Sequence, residues 1–373
     1  MHNTSRLLTR PSWVYPKARF HLDFVNGRAF GASVDQCLSI TQTGTVDYAQ
    51  KNDGTLQQFI AANILRRTNK GLRVMSGRSN IWLHSEVIGD ATNWTNGGSF
   101  TSSQNSVVAP NGATTAAGCT IVDTTSATSM QLSGQTAGTT TAISLFAKKS
   151  DTGAAPFFRI ATNNTSAWST GISQRFPLTN DWQRFVLIGV AIASGTTIKL
   201  MIGNVDETGA EDLVCVGNVD FWGVQVENGA YATDYIPTTS ASAARGVDNI
   251  AIIGPMKERL AQATGSAIVV VNSGIAGIAS NVLDSNGTNL LGFNSSDNPL
   301  ASISGALTGA DIGNRTSRDI LALSWSPSGR SLSINGGPAV TDTTAQTPST
   351  PLSLGSTGAA NFLEGYVEQL AVF

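Results

Sequence analysis

The sequence predicts an all-β protein made of tandem β-sandwiches with a loop-rich N-terminal arm, and three observations carry that expectation. Of 373 residues, 41 are Thr, 39 Ser and 26 Asn, small polar types that favour turns and strand surfaces over helix interiors. Charged residues make up only 13%, against roughly 25% in an average soluble protein, which disfavours long solvated helices and coiled coils. Short runs of β-branched and aromatic residues with period-two alternation recur between Gly, Ser, Thr and Asn clusters along most of the chain. A half-buried sheet needs a second sheet over its apolar face, so strands in this pattern imply sandwiches. A chain of this length holds two or three domains and buries real cores without disulfides or metals.

Residues 1–77 are the most basic part and read as an arm or small subdomain. Strand-like runs occur at 21–24 and 71–75, while 55–67 (TLQQFIAANILRR) places Leu56, Phe59, Ile60 and Ile64 at helical spacing and stays ambiguous. A first sandwich spans 78–248, with strands at 142–148, 157–162, 183–192, 197–203 and 219–227. The stretch 97–141 reads as short strands and long loops, because Val107, Val108, Ile121, Val122, Met130 and Leu132 recur through it. A second sandwich spans 249–373. It opens on a short helix at 255–263, where Pro255 occupies a first-turn position and Gly265 lies just past the end. Strands follow at 266–271, 289–293, 319–325, 331–334, 352–354 and 366–373, and Asn335-Gly336-Gly337 marks a hairpin because such residues accept positive φ.

Charge and cysteine content exclude several functions. The net charge of −2 lacks the basic footprint on which phosphate-backbone affinity depends, so no nucleic-acid partner is expected. Cys37, Cys119 and Cys215 are odd in number and far apart, which fits buried thiols better than a zinc clamp or a disulfide framework. No run of 18 apolar residues and no apolar segment of a secretory signal is visible, so the expectation is a protein made in a cytoplasm without membrane insertion.

Catalytic motifs are absent from the sequence. His2, His21 and His84 are isolated, and no Gly-x-Ser-x-Gly, phosphate-binding loop or His-Glu-x-x-His occurs. The remaining catalytic option is a pair of carboxylates acting on a sugar bond. Asp206, Glu207, Glu211 and Asp212 form the densest acidic patch, read first as a solvated hairpin tip, with calcium ligation or glycoside hydrolysis as the alternatives. Glu86, Asp220 and Glu227 flank the first and last strands of the first sandwich, where carbohydrate-binding jelly rolls hold a structural calcium. Glu86 and Asp220 are therefore the candidate calcium ligands, and no other cofactor is expected.

Seven tryptophans stand at positions 13, 82, 94, 168, 182, 222 and 325. Trp182, Trp222 and Trp325 lie in or at the start of apolar strands and are expected in the core. Trp168 sits in the polar loop 162–170 with Arg159 nearby. An aromatic ring beside Asn and Arg suits the C–H face of a sugar, so Trp168, Arg159, Asn163 and Asn164 form the candidate glycan-binding set, against the plainer reading of a loop plug.

Three segments within 78–248 carry a family resemblance, and further segments lie upstream and downstream of them. Arg78-Ser79-Asn80-Ile81-Trp82-Leu83-His84-Ser85-Glu86, followed by Trp94, resembles the opening of bacteriophage head spike and fibre proteins; Asn180-Asp181-Trp182-Gln183-Arg184 is similar to an internal strand of the same domains. The run 221–238 (FWGVQVENGAYATDYIPT) resembles their exit motif and is the most specific of the three. Upstream, Leu22-Asp23-Phe24 and Gly71-Leu72-Arg73-Val74 look like the family's lead-in, with Met75 and Ser76 replacing its acidic position. Residues 265–373 are similar to a laminin-G or concanavalin-A-like sandwich through Leu354-Gly355 and 362–367.

The resemblance implies a jelly roll over 78–248 followed by a laminin-G-like sandwich over 249–373. It implies a non-enzymatic virion component, synthesised in the host bacterial cytoplasm and displayed on the particle surface. The implied partners are other virion proteins of capsid or tail, further copies of itself, with a homotrimer expected, and host-surface polysaccharide. Symmetry would multiply weak sugar contacts into avidity. Arg6, Arg10, Lys17 and Arg19 of the basic arm are then the candidate virion-attachment residues. Two alternatives stay open: a tail-fibre polysaccharide depolymerase, and a capsid cement protein that binds no glycan.

Overall fold

Period-two burial shows directly in the strands. Along Asp319–Ser326 and Gly329–Ile334 almost every second side chain is buried, as expected where one sheet face meets a core. The computed structural model describes residues 12–43, 46–88, 100–121, 128–132, 139–150, 157–163, 173–192, 197–202, 217–273, 275–285, 288–302, 305–309, 315–345, 347–355 and 362–373. Among these, all but two short elements, the helices Val34–Cys37 and Gly254–Leu260, are strands, and every pairing is antiparallel. The protein is all-β.

Two units divide the chain. The first comprises Met1–Gln42, Ala62–Ser76 and Val247–Phe373. Its larger sheet runs in the order Arg28–Phe30, Phe20–Asp23, Gly365–Val372, Gly265–Ser273, Asp319–Ser326, Gly329–Ile334 and Val340–Asp342, with Gly71–Val74 and Arg67–Thr68 joined at Gly365–Val372. A seven-stranded sheet includes Thr288–Phe293, Ser280–Ser285, Leu352–Leu354, Asn249–Ile252 and Leu38–Thr41. Both sheets contribute to one apolar core: Leu22, Leu72, Val269, Leu323 and Leu370 from the first, Ile250, Val282, Leu291, Phe293 and Leu354 from the second. Each such side chain stabilises the fold by roughly 1.5–3 kcal/mol on burial. This unit is a β-sandwich.

Particular residues explain its joints. The helix Gly254–Leu260 has proline in its first turn and buries Met256 and Leu260. Asn335 (φ 53°) and Gly336 (φ 72°) take the left-handed conformations of a tight hairpin turn, and the Asn335 side chain accepts from Ile320 N and donates to Asp319. Arg73 faces Asp248 at 3.3 Å with both side chains fully buried, and Met75 N also donates to that carboxylate.

Stretch 1–77 contributes to both units. Phe20–Asp23, Leu38–Thr41 and Gly71–Val74 pair with strands from the C-terminal part of the chain, because short strands satisfy their backbone groups only in a larger sheet. The ambiguous segment 55–67 is not helical. Leu56–Phe59 is a strand paired with Asp47–Gln50 in the second unit, and Ile60, which a helix would have turned toward a core, is 74% exposed.

The second unit comprises Thr43–Ala61 and Gly77–Gly246. A five-stranded sheet has the order Gln183–Ile192, Thr139–Lys149, Gly217–Asn228, Ala116–Ile121, Phe100–Val107. A four-stranded sheet has the order Thr128–Leu132, Thr197–Ile202, Phe157–Asn163, Ser173–Pro177. Cys119, Leu145, Phe185, Leu187, Val219, Phe221 and Val226 of the larger sheet form a core with Phe176 of the smaller, whose ring lies 5.3 Å from that of Phe185. Cys37 and Cys119 are free and buried, and burial pushes the Cys37 thiol up to about 11. Cys215 lies outside the described residues.

Candidate functional site

The two segments that carry the family resemblance most specifically interlock in the second unit. Asn80, fully buried, donates through Nδ2 to Val224 O and Ile236 O and accepts at Oδ1 from Trp82 N and Val226 N. Gln225 accepts from Ile236 N and donates to Thr233 O and Asp234 O. Glu227 accepts from Thr233 N and its hydroxyl. The Ser85 and Tyr235 hydroxyls meet at 2.6 Å, and Thr238 N donates to Ser85 Oγ. Two glycines of the exit motif are required by shape: a Cβ on Gly223 (φ +66°) would press on the Tyr235 and Phe146 rings, and one on Gly229 (φ +137°) would press on the Arg78 guanidinium. These motif residues hold the fold together.

Beside this clasp lies a cleft of about 770 Å³. Three turns and a strand end build it. The turn between Asp47–Gln50 and Leu56–Phe59 supplies Lys51, Asp53 and Thr55; the turn after Phe100–Val107 supplies Val108, Pro110 and Asn111; Lys148 comes from the end of Thr139–Lys149, and Asp181 with Trp182 from the approach to Gln183–Ile192. Register brings the last two groups together, since Ala147 pairs with Gln183 and places Lys148 next to Trp182 across the ladder. The Lys148 ammonium sits 5.3 Å from the centre of the Trp182 ring and 3.5 Å from Asp220.

The turns are braced from within. Lys51 N donates to Thr55 O, Gly54 N to Lys51 O, and Leu56 N to Pro110 O, which ties the first turn to the second. Asp53 Oδ1 accepts from both the backbone and the hydroxyl of Thr55, and the hydroxyl bond is the main reason the Asp53 carboxyl lies below the usual carboxylate range. Asn111 Oδ1 accepts from Ala113 N. Trp182 is half-buried, and its indole N–H donates to Val108 O at 3.0 Å, which fixes the ring at the cleft wall. The cleft thus offers a pinned aromatic ring, the apolar surface of Val108 (56% exposed) and Pro110, two lysines, two carboxylates and an amide.

Of the residues expected to bind glycan, only two belong to the described residues. Trp168 and Asn164 lie outside the described residues. Arg159 and Asn163 belong to Phe157–Asn163, where Arg159 pairs with Met201 and Arg175, and Asn163 with Thr197. Trp222 and Trp325 are buried, whereas Trp182 is only half-buried because it precedes its strand at a turn. Its polar neighbours Asn180 and Asp181 were the available signal.

The candidate calcium ligands have separate surroundings. Asp220 accepts from Ser150 Oγ and meets Lys148, while Glu86 accepts from the Tyr235 hydroxyl among Thr115 and Trp222. Burial holds the Glu86 carboxyl above the usual range, against the hydrogen bonds that pull it down. Among the described residues no group of three or more His, Cys, Asp or Glu comes together as metal ligands do. The patch 206–212 lies outside the described residues, as do Arg6 and Arg10. Lys17 and Arg19 are exposed in the first unit, where Arg19 borders a shallower groove of about 540 Å³ with Phe20, Pro255, Glu258 and Arg259.

No family model and no curated protein matches the chain.

Proposed function

We propose that the protein is a non-enzymatic structural component of a bacteriophage surface, a head spike, fibre or decoration subunit that binds host-surface polysaccharide. The observation that carries this reading is the Trp182 cleft: a braced pocket with one fixed aromatic face and opposed hydrogen-bonding groups is the chemistry a sugar ring requires. The phage assignment is supported by the resemblance at 78–86 and 221–238, segments that form one buried hydrogen-bonded clasp. An antiparallel all-β fold without charged excess suits a protein that must outlast the cell that made it.

We read the cleft as a site of binding and not of cleavage. A glycosidase needs a carboxylic acid held protonated near neutral pH to donate to the leaving group. In our reading Asp53, whose carboxyl the Thr55 hydroxyl bond holds below the usual range, is not such an acid and serves as a hydrogen-bond acceptor. Self-association, with a trimer as the working expectation, would raise the avidity of such sites. Exposed Lys17, and Arg19 at the edge of the shallower groove, are the attachment candidates within the described residues.

Immunogold labelling of purified particles with antibody to this chain tests the assignment. Gold on the particle surface is the expected result; particles that never carry the label would overturn it.

A further inference from the structure

We infer that the Trp182 cleft takes an uncharged sugar, a neutral or N-acetylated hexosyl unit, and rejects acidic glycans. The inference rests on the reading of this cleft as the glycan site and adds its ligand class.

The argument is one of charge and geometry. A site for uronate, sulfate or sialyl groups needs a surplus of cations, because the ligand's charge must be compensated where water is displaced. Here two lysines are matched by two lining carboxylates, Asp53 and Asp181. One of the lysines, Lys148, already meets the buried carboxylate of Asp220 at 3.5 Å. Counting Asp220, the cleft carries no net positive charge to concentrate a polyanion, and an acidic sugar would face the two carboxylates.

Neutral sugar hydroxyls meet the same groups well. Both Thr55 bonds fall on Asp53 Oδ1, which fixes the carboxylate at the cleft, and Asp181 is exposed at the cleft edge. Carboxylates accept from adjacent hydroxyl pairs, while Lys51 and the Asn111 amide act as donors. The Trp182 ring and Val108 supply the apolar wall for the C–H face.

The test uses the full chain in titrations with two neutral polysaccharides, mannan and dextran, and two anionic ones, polygalacturonate and heparin, at about 50 and about 500 mM NaCl. The expected result is binding to a neutral glycan that changes less than about twofold between the two salt levels and weakens at least about tenfold in Asp181→Asn and in Trp182→Ala, with melting unchanged for Asp181→Asn. Anionic glycans should not bind. Salt-sensitive binding of polygalacturonate or heparin that Trp182→Ala abolishes would overturn the ligand class and leave the sugar site standing. Neutral binding indifferent to both substitutions would place the sugar elsewhere and overturn the inference. Absence of binding to all four would remove the glycan reading together with it.

Discussion

Ser85 and Tyr235 stand 150 positions apart in the chain, and their hydroxyls meet at 2.6 Å in the interior of the second unit. Around that contact the opening motif and the exit motif exchange hydrogen bonds through Asn80, Thr238 and the backbone of Val224 and Val226. The relationship explains why residues so polar recur in two distant segments. Each is the partner the other needs, because a buried donor or acceptor left alone is costly.

Asn80→Ala should therefore be among the most damaging substitutions in the second unit. It removes the acceptor for two backbone N–H groups and the donor for two carbonyls. A loss of about 2–4 kcal/mol is expected, read as a lower denaturant midpoint. Ser79→Ala, one residue away and exposed, should stay within about 0.5 kcal/mol. Equal effects would show that the clasp is not what holds these segments.

Glu86 sets a pH dependence whose sign follows from its environment. Burial raises its folded pKa above the unfolded value, so its neutral form is the one the fold favours. Its stabilising share is fully present below the unfolded pKa and is lost as pH rises through the folded pKa. Glu86→Gln should accordingly gain on the wild type as pH rises from about 4 to about 7, measured as the difference in melting temperature at each pH. A difference that is flat across this window, or that grows toward acid, contradicts the assignment.

In the first unit the buried Arg73–Asp248 pair makes a contrast with the Arg318–Glu368 pair, whose arginine is open to solvent. Asp248→Ala removes the carboxylate that Arg73 and Met75 N face, and should cost about 3–5 kcal/mol. Arg318→Ala, whose side chain is 52% exposed, should cost no more than about 1 kcal/mol. Chemical denaturation of the two variants checks the ranking.

Trp182 and Trp222 separate binding from stability. Trp222 is fully buried, with its ring 4.4 Å from that of Tyr235 and its N–H on Thr115, so Trp222→Ala should cost about 3–5 kcal/mol of stability. Trp182→Ala should weaken glycan binding by roughly 1–3 kcal/mol with a much smaller effect on melting. Titration and thermal unfolding of the same two proteins resolve the roles.

Much of the fold was legible because strand patterning is local. Gln183–Ile192 and Leu352–Leu354 were readable to the residue, and the Asn335-Gly336 turn was visible as a dipeptide with one conformational preference. Segment 55–67 was not, since its helical spacing is overridden by pairing of Leu56–Phe59 with Asp47–Gln50 and by the bond from Leu56 N to Pro110 O. Nor was the membership of 20–23 in the sheet of 365–372, because strand partners distant in sequence leave no mark in either segment. The cleft was hidden for the same reason: Lys51, Val108, Lys148 and Trp182 come from four separate places, and Trp182 read alone looks like the start of a core strand.

The most direct test of the account is to size host-surface polysaccharide by light scattering after chromatography, with and without prolonged incubation with the full chain. The account predicts that the protein co-elutes with polysaccharide of unchanged mass. A shift to short oligosaccharides, or elution of protein and polysaccharide apart, would contradict it.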